Sequence, residues 1–151
     1  MGTRIHGWVE GTIDDVRDRD EYSWSGIIRV SSLVGICDDA CAEFFGLSKA
    51  QISRESSKSA LFANRGIPSL PSEEVRRDLE ELREFERRYG RSDGRSEYGG
   101  YTYATWAELR PLRNRALEEF EWRLLFDLME LLATDERFPP DRLRVVVWYS
   151  W

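Results

Sequence analysis

The stretch Leu143-Arg144-Val145-Val146-Val147-Trp148-Tyr149-Ser150-Trp151 limits the folds open to this chain more than any other. Three consecutive valines beside aromatic residues read as a strand buried on both faces. It follows the longest helical pattern, so its backbone N–H and C=O groups must find partners in a sheet built by earlier segments. Two such segments are visible. Over residues 3–10, Ile5, Gly7 and Val9 fall on one face while Arg4, His6, Trp8 and Glu10 fall on the other. Over residues 22–30, Tyr22, Trp24, Gly26, Ile28 and Val30 share a face. The apolar density at Val145, Val146 and Val147 predicts a central position for the last strand, beside the first.

Helical patterns fill the remainder. After Ser31 and Ser32, which suit a helix N-cap, Leu33, Val34, Cys37, Cys41, Phe44 and Phe45 make a stripe that Gly46 terminates. Residues 47–63 are Ser-rich and irregular, and Asn64-Arg65-Gly66-Ile67-Pro68-Ser69-Leu70-Pro71 is a break. Ser72 caps a helix with Glu73 and Glu74 in its first turn and a stripe of Val75, Leu79, Leu82, Phe85 and Tyr89. Residues 91–100 read as a flexible loop. Thr105 and Glu108 have capping-box spacing for a short helix starting at Trp106. Residues 112–133 carry the strongest signal, with Ala116, Leu117, Phe120, Leu124, Leu128 and Leu132 as the central stripe and Leu125, Met129 and Leu131 widening it. The expected fold is a two-layer α+β domain: an approximately three-stranded mixed sheet, two N-terminal strands plus the C-terminal one, with about three helices mainly on one face.

Composition bounds the function. The chain has 151 residues, which suits a single domain over 1–151, and six Trp, six Tyr and seven Phe argue against disorder. No apolar run approaches the roughly 20 residues of a membrane span. Residues 1–10 hold no apolar core of signal-peptide length, so a cytoplasmic protein without a membrane partner is expected. The net charge of −6, with acids and bases interspersed, argues against general nucleic-acid binding. Lys49 and Lys58 are two of the 22 basic residues and the other 20 are arginine. GC-rich coding accounts for such a bias, and Arg is also the residue for bidentate grip on phosphate or carboxylate.

Few residues point to chemistry. His6 is the one histidine, so any triad or His-metal site runs through it, and a surface or structural histidine is the competing reading. Cys37 and Cys41 lie on one helix face as buried free thiols; zinc would need ligands the sequence does not group with them. Neither a metal nor a cofactor is expected. In the 64–68 segment Gly66 and Pro68 fix the backbone, so Asn64 and Arg65 point in defined directions; the ordinary alternative is a turn with Arg65 paired to a nearby acid. Tyr98, Tyr101, Tyr103 and Trp106 cluster beside Gly99-Gly100. These rings read equally as a lid that stacks on a base and as a short strand packed on the sheet.

Four short stretches carry a resemblance: Ile5-His6-Gly7-Trp8-Val9-Glu10, Asn64-Arg65-Gly66-Ile67-Pro68, Thr105-Trp106-Ala107-Glu108 and Leu143-Arg144-Val145-Val146-Val147-Trp148-Tyr149. Together the chain resembles an uncharacterised family of small phage- and actinobacteria-encoded proteins. Members carry a histidine-containing stretch before the Trp-x-x-Glu step, where this chain has Tyr101-Thr102-Tyr103-Ala104; a histidine-based activity at that point is therefore not expected here. The resemblance implies a phage-type accessory protein, acting in the host cytoplasm against a defence system.

These readings combine into a binding protein that sequesters a small anionic nucleotide-like signal. Arg4, Arg29, Asn64 and Arg65 would hold phosphate, and His6, Trp8, Tyr101, Tyr103 and Trp106 would line or close over the base. Homo-oligomerisation would cover an aromatic sheet face left bare. Two alternatives belong to other classes: an inhibitor that docks the acidic 73–88 helix on a host defence protein, and a small hydrolase or transferase using His6.

Overall fold

The computed structural model describes residues 4–12, 24–34, 44–46, 61–90, 96–116 and 120–150. Four strands, β1 (Arg4–Thr12), β2 (Trp24–Arg29), β3 (Tyr98–Thr105) and β4 (Leu143–Ser150), form one sheet in the order β2-β1-β4-β3. Every neighbouring pair is antiparallel. β4 lies in the interior beside β1, and all its residues but Ser150 are buried. The position expected from the valine run is the one found.

The three-stranded mixed sheet expected from the sequence is corrected in count and direction. The additional strand is β3, which begins inside the stretch read as a loop. Gly99 faces Tyr149 and Thr102 faces Val147, so one extra residue is inserted on β3, and Gly100 takes φ +67 there. A glycine at positive φ is what such a bulge requires. The bulge resets side-chain alternation, and Tyr98, Tyr101 and Tyr103 all pack on one face despite their uneven spacing. Of the two readings of Tyr101 and Tyr103, packing on the sheet is the one the structure bears out. Residues 91–95 of the expected loop lie outside the described residues.

A second bulge corrects β2. Val9 faces Ile28 while Glu10 faces Gly26, leaving Ile27 as the extra residue. One inserted residue exchanges the faces of everything beyond it. Ile28 and Val30 therefore join the larger core, whereas Gly26 abuts Trp8 and Trp24 stacks on Arg144 on the opposite face. Val30, Ser31 and Ser32 form a single 3-10 turn after β2.

Helices cover both faces, so the architecture has three layers rather than two. On one side α1 (Glu73–Tyr89) seats Val75, Leu79 and Leu82 against Trp8, Val146 and Trp148. Its capping follows the sequence: the Val75 N–H donates to Ser72 Oγ at 3.2 Å, and Glu73 and Glu74 occupy the first turn. On the other side α2 (Trp106–Leu109) and α4 (Phe120–Ala133) pack against Ile5, Val9, Val145, Val147 and Tyr149, and the short α3 (Arg113–Ala116) contacts α4. The Thr105–Glu108 capping box is formed. The expected central stripe of α4 is displaced around the helix. Trp122, Leu125, Phe126 and Met129 are fully buried while Leu124 is 55% exposed and Leu131 66%. Apolar residues lie nearly all round this helix, and the bulk of Trp122 and Phe126, stacked with Phe44, Phe45 and Trp106, decides which side turns inward. Phe44 and Phe45 are helical; Cys37 and Cys41 lie outside the described residues. Among the described residues no helix is long and apolar enough to cross a membrane.

Candidate functional site

The face that the sequence left bare is the face α1 covers, and α1 covers it incompletely. Beyond Leu82 the apolar stripe runs off the sheet, leaving Phe85 46% and Tyr89 71% exposed. Between this half of α1 and the sheet lies a hollow of about 320 Å³, within the range of small-ligand sites. All four strands or their ends reach it: Arg29 at the end of β2, His6 and Gly7 from β1, Trp148 from β4 and Tyr98 from β3. The helix adds Asp78, Glu81, Leu82 and Phe85.

The aromatic wall is ordered by register. His6 faces Trp148 across the β1–β4 pair, and their rings stack at 6.5 Å with 19° between planes. The Tyr98 ring lies 6.0 Å from His6 at 60°. His6 Nε2 and Ser150 Oγ are 2.8 Å apart, a hydrogen bond whose direction follows the imidazole tautomer. Burial, then the positive charge of Arg4, holds the imidazole below its ordinary pKa, with Asp78 opposing. Both effects favour the neutral imidazole.

The polar end is prepaired. Arg29 makes a fork to Asp78, Nη1 to Oδ2 at 2.6 Å and Nη2 to Oδ1 at 3.1 Å. The Trp8 Nε1–H donates to Oδ2 at 2.8 Å, and the Arg29 guanidinium lies 4.6 Å from the Trp8 ring. Asp78, 7% exposed, is therefore fully engaged, and it fixes α1 to β1 and β2. An acid inside an apolar stripe, between Val75 and Leu82, was the sequence signal for this anchor.

The residues singled out from sequence separate into two groups and a remainder. His6 and Arg29 line the hollow, Trp8 supports Arg29 from beneath, and Arg4 stands on β1 opposite Ser150, where its charge reaches His6. Tyr101 leans on Trp148 at 6.3 Å but does not line the hollow. Arg65 belongs to a different place. Its fork grips Glu108, at 2.9 Å and 2.8 Å, and Nη1 also donates to the Tyr103 carbonyl at 3.3 Å. The turn around it docks on β3, with the Gly66 N–H donating to the Tyr101 carbonyl at 2.9 Å. Asn64, at φ +61, supplies the left-handed step of this turn and is exposed. Trp106 is fully buried against Phe126 in the opposite core and has no face to offer a ligand. Gly7, Ser31, Asp78, Glu81, Leu82, Phe85 and Trp148 also line the hollow, none of them a ligand contact expected from sequence, and so does Tyr98 from the expected lid cluster. Among the described residues no group of three or more His, Cys, Asp or Glu gathers to hold a metal ion.

The Arg65–Glu108 hydrogen bonds raise the Arg65 pKa and lower that of Glu108. Because the side chains are 31% and 37% exposed, solvent screens the pair. Arg65→Ala is expected to cost only about 0.5–1 kcal/mol in chemical denaturation, with ligand capture in the hollow unchanged.

No protein-family model, curated protein or solved structure matches the chain.

Proposed function

We propose that this protein reversibly captures a small, planar, nucleotide-like ligand in the hollow beneath α1. The observation that carries the reading is the pair of rings His6 and Tyr98, backed by the buried Trp148, beside a ligand-sized space with charged groups at one end. Bases stack on such rings for about 1–3 kcal/mol each. Arg29, half exposed yet fixed in place by Asp78 and Trp8, stands at the polar end of the hollow, and Arg4 adds positive charge nearby. The Arg65 turn takes no part. A phage-type accessory role against a host nucleotide signal is part of the proposal and is motivated by the sequence resemblance alone.

A second reading has one observation in its favour. Ser150 and His6 lie within hydrogen-bond distance, as a nucleophile and its base would, and His6 lines the hollow. Among the described residues no carboxylate has a hydrogen bond to the His6 ring, since Asp78 is occupied by Arg29 and Trp8.

Calorimetric titration with nucleosides and their monophosphates tests capture. Phe85→Ala should weaken binding about tenfold or more through loss of a ring contact, with the unfolding midpoint unchanged because Phe85 is 46% exposed. Heat-denaturing the loaded protein should return the compound intact. A transformed compound, lost in His6→Ala, would favour the hydrolase. Indifference to every nucleotide, with a host polypeptide co-purifying, would favour the inhibitor.

A further inference from the structure

The polar groups of the hollow are unequally committed. Asp78 has both oxygens taken and the Arg29 fork is spent on it, so these two charges cancel. Burial and Arg4 favour the neutral form of His6. Glu81 stands one helical turn beyond Asp78, also lines the hollow, and has neither a hydrogen bond nor an ion pair among the described residues. Arg29 is the one basic residue among those lining the space. Besides the Ser31 and Tyr98 hydroxyls, what remains available in the hollow is therefore a carboxylate, its one uncommitted charge: acceptor-only, planar, with two oxygens side by side. Its complement is a planar edge bearing two adjacent N–H donors, met in one plane as a carboxylate meets a guanidinium fork. A ligand read first by its phosphate would instead bring its charge toward an unneutralised acid.

Resting on the capture reading above, we infer that Glu81 selects the ligand by its N–H edge, so that a base of the guanine type, with a ring N–H next to an amino group, is preferred. An amidinium-bearing ring presents the same pair of donors. The two sources differ in charge and in the ribose.

The test is calorimetric titration of guanosine, inosine, adenosine and benzamidine into the wild-type protein and Glu81→Gln. Guanosine is expected to bind about tenfold or more tightly than inosine, which lacks the amino group, and than adenosine, whose ring nitrogen accepts. Glu81→Gln, with an unchanged unfolding midpoint, should level the three. Benzamidine binding that depends on Glu81, with all nucleosides silent, would support edge selection and overturn nucleotide capture. Equal binding of the three nucleosides, indifferent to Glu81→Gln, would overturn edge selection and leave capture standing. No binding by any compound would overturn both.

Discussion

Glu10→Ala should remove about 3–5 kcal/mol of folding free energy, read as a lower midpoint in urea. Glu10 is fully buried in β1, and each carboxylate oxygen has a separate task. Oε2 accepts from Arg144 Nε at 2.5 Å, while Oε1 accepts from the Ser72 N–H at 2.7 Å, at the cap of α1. Arg144 in turn donates to the Leu70 carbonyl at 2.6 Å and lies 3.7 Å from the Trp24 ring. Removing the carboxylate leaves a guanidinium only 6% exposed without its counter-charge, and leaves the Ser72 N–H without its acceptor. Burial already pulls the Arg144 pKa down against the pull of Glu10. The double variant Glu10→Met with Arg144→Met should recover much of the loss, because a buried pair replaced by apolar groups costs far less than one partner left alone. A loss below about 1 kcal/mol for Glu10→Ala would mean that this pair behaves as a solvent-screened one. Since the pair ties the 70–72 segment and the start of α1 to the sheet, the same variant should also loosen the wall of the hollow.

Gly7→Ala should be at least as damaging. Gly7 sits in the middle of β1 at φ +132, a conformation side-chain-bearing residues rarely adopt. Such strain alone costs about 1–3 kcal/mol. A Cβ there would lie 1.9 Å from the Val146 carbonyl oxygen and 2.9 Å from Val147 Cα. Those atoms are backbone of the central strand, held on both sides, and cannot rotate aside. Thermal unfolding should fall by about 10 °C or more, or the variant should fail to fold. Gly66→Ala is the control: φ is +77 but nothing lies within 4 Å of the added atom, so only about 1–2 kcal/mol of backbone strain is expected. A Gly7→Ala protein as stable as Gly66→Ala would show that β1 and β4 can part at this point.

What could be read from the sequence was local. Alternation in β1, the valine run of β4, the Ser72 cap and the Thr105–Glu108 box each depend on neighbours within a few residues, and each is present. What could not be read depends on partners far along the chain. Two bulges, at Ile27 and around Gly100, decide which way Trp24 and the tyrosines point, and neither alters composition enough to mark itself. Asp78 marks itself only as an acid inside the apolar stripe of α1, because its partners, Trp8 and Arg29, lie 70 and 49 positions away. The turn with Arg65 paired to an acid is the reading of that segment the structure bears out, but its partner Glu108 could not be named because it lies 43 positions away and has a local role as the capping acid. The four stretches behind the resemblance meet in pairs: His6 faces Trp148 and Glu10 faces Arg144, while Arg65 grips Glu108. Much of the pattern in these stretches is thus accounted for by pairing within the fold, and His6, Gly7 and Trp148 among them also line the hollow.

The most direct measurement is a crystal structure of the protein grown with guanosine and, separately, with adenosine. Base density lying against Tyr98, His6 and Phe85, with the ring edge toward Glu81 for guanosine, is the expected result. Density at the Arg65–Tyr103 edge instead, or an empty hollow at saturating nucleoside, would contradict capture beneath α1.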